Sequence, residues 1–107
     1  MELTKGKKAE MDWKELLEGL RKLTKNGPEN IDAWNNLGNA YANLTRHDDA
    51  IAAFREVIRL DPEYADAWYN LGILYAVCAD QSAALNAACE LRRLDPERAD
   101  KLFELVT

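Results

Sequence analysis

The chain has 107 residues, enough for one compact domain, and its 48% hydrophobic and 31% charged residues exclude disorder throughout. Fourteen Lys and Arg against nineteen Asp and Glu leave a formal net charge of −5. Because like charges repel, a chain of this charge is a poor partner for nucleic acid or for anionic membrane surfaces, and we expect neither.

The sequence lacks the two features that would indicate a membrane or a secreted protein. No stretch reaches the roughly 18 consecutive apolar residues of a membrane span, and residues 1–30 have no apolar core of a secretory signal. We therefore expect a cytoplasmic protein without membrane insertion.

Cys78 and Cys89 lie in helical apolar patterns, which predicts two buried thiols with no disulfide between them.

The first predicted helix runs from about Asp12 to Lys25. Residues 1–10 mix three lysines with acidic residues, and we expect a flexible or partly helical segment there. The helix is strongly apolar along one side, through Trp13, Leu16, Leu17, Leu20 and Leu23.

Four more amphipathic helices follow, at about Asp32 to Leu44, Asp48 to Leu60, Asp66 to Ala79 and Ser82 to Leu94. Their apolar residues recur every three or four positions, as one face of a helix requires. Asp48 and Ser82 are predicted to cap helix N-termini, and Pro62 and Pro96 follow the ends of the second and fourth helices.

These four helices form two copies of one unit. A shift of 34 residues places Trp34 on Trp68 and Gly38 on Gly72. The other coinciding pairs are Leu37 with Leu71, Tyr41 with Tyr75, Ala50 with Ala84, Leu60 with Leu94, and Asp61-Pro62 with Asp95-Pro96. Agreement over a whole period indicates a solenoid, in which neighbouring units stack to bury a continuous core.

The first helix of each 34-residue unit contains a glycine, and this glycine constrains how the two helices of the unit pack together. Glycine in a helix interior costs about 1 kcal/mol relative to alanine, so its recurrence implies a compensating contact. We expect a close approach of the two backbones, with Gly38 facing Ala50 and Gly72 facing Ala84.

The last predicted helix, Ala99 to Val106, continues the register of a first helix and is expected to cap the apolar end. In that register Leu105 takes the buried leucine position of the repeat. Ala88 stands where the first copy has a phenylalanine, which leaves a void unless Leu102 or Phe103 fills it.

The landmarks of the first copy are the run Trp34-Asn35-Asn36-Leu37-Gly38-Asn39-Ala40-Tyr41, then Ala50, Phe54 and Pro62. This spacing resembles the tetratricopeptide repeat. The resemblance implies an all-α superhelix of antiparallel helix pairs, right-handed and with about six helices. Within one domain at residues 11–107, we predict repeats at 31–64 and 65–98, a half repeat or cap helix at 11–30, and a cap helix at 99–107.

In proteins of that family the first helices of successive repeats line a concave groove, which receives an extended peptide or a helix. The groove would be polar at its N-terminal end, where asparagine amides can pair with a peptide backbone, and aromatic or aliphatic at the other. Carried over by position, its residues are Asn35, Asn36, Asn39, Asn43, Tyr69, Asn70, Ile73, Val77 and Phe103.

Charged positions of this groove bear on the ligand. Asp32, Asp66 and Asp100 recur at the period, either to favour basic peptides or only to stabilise helix N-termini. One subgroup of the family binds the C-terminal carboxylate of chaperones through Lys, Asn and Arg side chains. Asp100 and Glu104 stand where that clamp has Lys and Arg, so we expect no binding of that type.

The sequence offers little for catalysis. It has one histidine and no glycine-rich phosphate loop, and His47-Asp48-Asp49 lies at a predicted helix start, where polar residues serve as caps. The two cysteines lack the neighbouring histidines of a zinc site. We therefore expect a protein that is not an enzyme and has no metal or cofactor.

The leading prediction is a scaffold or adaptor that binds a partner peptide or helix in the groove. An alternative is self-association, as a homodimer or stack. The N-terminal helix occupies the place of the second helix of a repeat, and the first helix that would pair with it is missing. The residues offered for that contact are Trp13, Leu16, Leu17 and Leu20. A further alternative is a small subunit of a larger complex, since three helix pairs are near the minimum for a solenoid.

Overall fold

The computed structural model describes the backbone of residues 2–107 and the side chains of residues 13–107. Within this part of the chain there are six α-helices and no strand, which confirms the predicted all-α fold. Met1, in the segment predicted to be flexible or partly helical, lies outside the described residues. The helices are α1 (Glu2–Asn26), α2 (Ile31–Asn43), α3 (His47–Leu60), α4 (Ala65–Val77), α5 (Gln81–Leu94) and α6 (Pro96–Val106).

The 34-residue period of the sequence is a period of the structure. Helices α2 and α3 pack as one antiparallel pair, and α4 and α5 as the next. The indole N–H of Trp34 donates to the carbonyl of Pro28 at 2.8 Å, and that of Trp68 donates to the carbonyl of Pro62 at 2.7 Å. Each tryptophan thus holds the turn that precedes its own helix.

The two helical glycines make room for large side chains. A Cβ built on Gly38 would lie 2.7–2.9 Å from three ring carbons of Phe54. In the second unit a Cβ on Gly72 would overlap Leu102, a residue of α6. The nearest neighbours of the glycines are therefore Phe54 and Leu102, and the facing positions of Ala50 and Ala84 stay a prediction.

Leu102 fills the space that was expected to be left empty at Ala88. Both residues are fully buried in one cluster with Leu91 and Ala99. The side chain that fills the space beside the helical glycine comes from α3 in the first unit and from α6 in the second. Helix α6 therefore completes the core of the second unit.

Helix α1 begins ten residues before the predicted start and continues unbroken to Asn26. It packs against α2 in the place that a second helix would take in a preceding unit. Leu17, Leu20 and Thr24 are buried in this contact, and Trp13 packs against the same core. Of the four residues proposed for self-association, only Leu16 stays open to solvent.

Among the described residues, no helix covers one flank of α1. Leu16 is 49% exposed, Leu23 is 52% exposed, and a Cβ on Gly19 would meet nothing within 4 Å. One period later, the matching positions on α3 are fully or almost fully buried. They are Ala50, Ala53 and Val57, with exposures of 0%, 1% and 0%.

The predicted caps Asp48 and Ser82 are each wrong by two residues, since the N-cap positions are Arg46 and Asp80. Helix α3 begins at His47 with no side-chain cap. Asp48 lies in its first turn, where its negative charge interacts favourably with the positive end of the helix dipole. Helix α5 is capped by Asp80, whose carboxylate accepts from the N–H of Ala83 at 3.2 Å.

The turns inside both helix pairs contain a residue in the left-handed region. Thr45 has φ 58° and Ala79 has φ 60°, one period apart. After α4, the N–H of Asp80 donates to Tyr75 at 2.8 Å and that of Ala79 donates to Ala76 at 3.1 Å, and the turn after α2 has the same pair of bonds. This is a Schellman motif, and its left-handed position usually holds glycine because a Cβ costs energy there.

Changing Ala79 to Gly is therefore expected to raise the free energy of unfolding by about 1 kcal/mol, through relief of that backbone conformation. The same chemical change at Ala52, which is exposed in the middle of α3, should lower it by about as much. Urea unfolding followed by circular dichroism measures both. Two changes of the same sign would contradict the assignment of the turn.

Helix α6 departs from the predicted register. Four residues separate α3 from α4, but only Asp95 separates α5 from α6. Pro96 becomes the first residue of α6, where its fixed φ suits a helix and its missing N–H is not needed. Leu105, predicted to be buried like the other repeat leucines, is instead 63% exposed.

Candidate functional site

The first helices of the two units present matching rows of accessible side chains. On α2 the row is Asn36, Asn39 and Asn43, all exposed, and these residues share one stripe because they are three and four positions apart. One period later α4 has a partly exposed row of Asn70 and Ile73, ending at Val77, which is 59% exposed. The α2 row has three amides and the α4 row has one amide and two aliphatic side chains, and we call the two rows together the α2/α4 face.

Asn35 differs from the other three asparagines of α2. Its side chain is only partly exposed, and its Oδ1 is buried without a hydrogen-bond partner among the described residues. Asn43, in contrast, donates from Nδ2 to the carbonyl of Asn39 at 2.8 Å. The amide of Asn35 therefore lies beside the α2/α4 face, in the packed layer, and is less accessible than the sequence suggested.

Tyr69 is covered by an arginine. The guanidinium carbon of Arg98 lies 5.3 Å from the centre of the Tyr69 ring, and Arg98 also pairs with Asp66 at 2.6 Å and Asp95 at 2.7 Å. Hydrogen bonds from the Arg98 side chain, then from its backbone N–H, hold the pKa of Asp95 below its ordinary value. The same two carboxylates raise the pKa of Arg98, Asp95 having the larger effect. This arginine is thus committed to partners inside the chain.

Phe103 packs against the same buried cluster as Tyr69 and Ile73 of α4. The guanidinium of Arg92, on α5, stacks over its ring at 4.7 Å and pairs with Asp100 at 3.4 Å. One side of the ring is therefore covered by an arginine of the same chain, and a place for Phe103 in the groove stays a prediction. Two of the three repeating aspartates, Asp66 and Asp100, therefore form ion pairs with arginines of the same chain.

A negative region surrounds Tyr64, at the start of α4. Partial burial, followed by the carboxylates of Asp32, Asp66 and Asp61, raises the pKa of this phenol above its ordinary value. These carboxylates disfavour the ionised phenolate, and the neutral phenol can donate a hydrogen bond.

The remaining candidates from the sequence carry no assembled chemistry. His47 lies half-buried in the first turn of α3, and within the described residues no group of His, Cys, Asp and Glu could hold a metal ion. Cys78 and Cys89 are unbonded, as predicted, but both are exposed, so the expectation of burial is wrong. None of the described helices is long and apolar enough to cross a membrane.

Comparison with known proteins identifies the repeat. Two family models described as the tetratricopeptide repeat match residues 31–64 and residues 53–91, together more than half of the chain. No curated protein matches the sequence.

Several solved structures share the fold. MamA is 21% identical with a TM-score of 0.77, over 99% of this chain and 73% of that one. The TPR2B domain of yeast Sti1, in complex with pHsp70, is 22% identical with a TM-score of 0.80, over 95% and 88%. The first TPR of Spaghetti (RPAP3), bound to the HSP90 peptide SRMEEVD, is 20% identical with a TM-score of 0.79, over 95% and 85%. These structures share the fold, and the two matching family models show that the chain belongs to the tetratricopeptide repeat family.

Proposed function

We propose that this protein is an interaction module that binds a peptide or helix of a partner protein on the α2/α4 face. The observation that carries the proposal is the accessibility of matching positions on two neighbouring first helices. Asn36, Asn39 and Asn43 stay exposed on α2, and Val77 stays exposed on α4, although these helices bury their other faces in the core. Exposed apolar side chains next to amides are typical of binding surfaces.

The chemistry of the face suggests how a ligand would lie. Amide side chains both donate and accept hydrogen bonds, so the α2 row suits the backbone of an extended peptide. Ile73 and Val77 offer an apolar patch on the neighbouring helix, which suits one aliphatic or aromatic side chain. We therefore propose a ligand that places its backbone along α2 and an apolar residue against α4.

The related structures support peptide binding in general. The Sti1 and RPAP3 domains are complexes with pHsp70 and with an HSP90 peptide, and tetratricopeptide repeat domains typically bind proteins without catalysing reactions. For this chain we propose a ligand other than a chaperone C-terminus. Asp100 and Glu104 bring negative charge to the clamp positions, and Arg98 is already paired with two carboxylates.

Peptides selected on the immobilised protein from a random display library provide the test. The double change Asn36→Ala and Asn70→Ala should weaken a selected peptide about tenfold or more, since each lost hydrogen bond is worth about 1 kcal/mol. The matched control is Ser82→Ala with Asn86→Ala, at exposed positions of α5, and it should bind normally. The peptide SRMEEVD should not bind.

Equal weakening of binding by both double variants, or none by either, would contradict the proposed face. Tight binding of SRMEEVD would contradict the exclusion of the clamp type alone. Isothermal titration calorimetry gives the affinities, and circular dichroism shows that each variant is folded.

Self-association is the second candidate, and the open flank of α1 favours it. Leu16 and Leu23 are each about half exposed around Gly19, where the repeat would place another first helix. A second copy that covered this flank would bury apolar surface that the isolated chain leaves in water. Such assembly would show as a mass that rises with concentration in sedimentation.

A further inference from the structure

A furrow of about 700 Å³ lies between α1 and α2, on the flank of α1 opposite Leu16 and Leu23. Its floor includes Leu17, Leu37 and the ring of Trp34. Four cationic side chains and one carboxylate line its α1 side, a strong local excess of positive charge in a chain of net charge −5. These five residues are Lys14, Glu18, Arg21, Lys22 and Lys25.

The equivalent furrow between α3 and α4 shows that this charge is particular to the first one. It has about 620 Å³ and the matching tryptophan, Trp68, in its wall. Its α3 side carries Arg55 and Arg59, but Glu56 occupies the position of Lys22 and forms an ion pair with Arg59. The second furrow therefore has two arginines against one glutamate, and one of those arginines is paired. The first has four cations against one glutamate, and among the described side chains no carboxylate pairs with any of those cations.

We propose that the α1/α2 furrow binds an acidic peptide segment of a partner protein, with one apolar side chain of that segment on the floor beside Trp34. Charge complementarity selects the acidic character. The apolar floor selects a peptide with an aliphatic or aromatic residue, and the volume suits a few side chains, being within the usual range of ligand pockets. This site is separate from the α2/α4 face and does not depend on it.

The arrangement of α1 favours a peptide over a membrane. A helix that lies on a membrane needs its cations beside its apolar face, so that headgroups and acyl chains are contacted together. On α1 the exposed leucines and the furrow cations lie on opposite flanks. A nucleic acid would leave the aliphatic floor unused, since phosphates need only the rim.

Fluorescence anisotropy with a defined probe tests the proposal. The probe is a short fluorescein-labelled peptide in which Glu alternates with Leu, and its counterpart has Gln at every Glu. The full chain should bind the Glu probe and not the Gln probe. Arg21→Glu with Lys25→Glu should weaken binding about tenfold or more, because two charge-assisted contacts become repulsive.

The repeat supplies the matched control. Arg55→Glu with Arg59→Glu makes the same change of charge one period later, in the second furrow, and should leave the affinity nearly unchanged. Arg21→Gln with Lys25→Gln serves if the reversed pair fails to fold. In NMR spectra the probe should shift the indole N–H signal of Trp34 and leave that of Trp68 in place.

Equal weakening in both furrows would show attraction by overall charge and would overturn the site. Binding of the Gln probe as tight as that of the Glu probe would overturn the acidic specificity. Tighter binding of phosphatidylserine vesicles, or of a single-stranded oligonucleotide, that is lost with Arg21→Glu and Lys25→Glu would also overturn the proposal of a peptide.

Discussion

Replacement of Leu102 by Ala is expected to lower the free energy of unfolding by about 3 kcal/mol, within the range for a fully buried leucine. Leu102 has no exposed surface and lies against Gly72, in the cluster that also contains Ala88. Because Ala88 cannot fill the space that a phenylalanine fills in the first unit, truncation of Leu102 leaves a cavity with no nearby side chain to close it. Urea unfolding of the two proteins gives the difference.

Leu105→Ala on the same helix is the control. Leu105 is 63% exposed, so its truncation should change the free energy of unfolding by less than about 0.5 kcal/mol. The substitution Ala88→Phe should destabilise the native chain but be much better tolerated together with Leu102→Ala, since the two side chains compete for one space. Strictly additive effects would show that Leu102 does not occupy that space.

The second large effect is expected at the helical glycines. An alanine at Gly38 would place its Cβ 2.7 Å from a ring carbon of the almost fully buried Phe54. Overpacking of this kind costs about 1–3 kcal/mol, which outweighs the gain of about 1 kcal/mol in helix propensity. We expect Gly38→Ala to be destabilising, and Gly72→Ala to be destabilising as well, because of its overlap with Leu102.

Gly19→Ala separates the two contributions. This glycine is also helical, but a Cβ there meets nothing within 4 Å, so the change should stabilise by about 0.5–1 kcal/mol. The cost of Gly72→Ala should shrink in a chain that also carries Leu102→Ala. Stabilisation by all three single substitutions would contradict the packing described for the first helices.

Local signals in the sequence were enough to predict most of the fold. The tryptophans, glycines and Asp-Pro pairs recur at a fixed period, and the two tryptophans make equivalent local bonds to the turns before their helices. The exposed row on α2 was predictable for the same reason, since three asparagines at helical spacing must share a face.

The misplaced residues all depend on contacts that a periodic pattern does not contain. In the first unit Asp61 accepts from the N–H of Glu63, and a turn precedes α4. In the second, Arg98 binds Asp95 through both its backbone and its side chain, so the chain enters α6 at once. Arg98 stands where the first unit has Tyr64, and its two bonds to Asp95 accompany the immediate start of α6.

The two proposed binding sites differ in their chemistry. The α2/α4 face combines amides with aliphatic side chains, and the α1/α2 furrow combines cations with a floor of tryptophan and leucine. Both include α2 but use different residues of it, Asn36, Asn39 and Asn43 for the face and Trp34, Leu37 and Tyr41 for the furrow. Substitutions at one should therefore leave binding at the other intact. Each proposal can therefore fail without the other.

Peptide binding on the α2/α4 face can be tested by NMR mapping of backbone amides with a peptide selected from a random library. We expect the largest chemical-shift changes at residues 36, 39, 43, 70, 73 and 77, and almost no change in the signals of α5. Shifts concentrated on the open flank of α1 around Leu16 and Leu23, with none on α2 and α4, would contradict it.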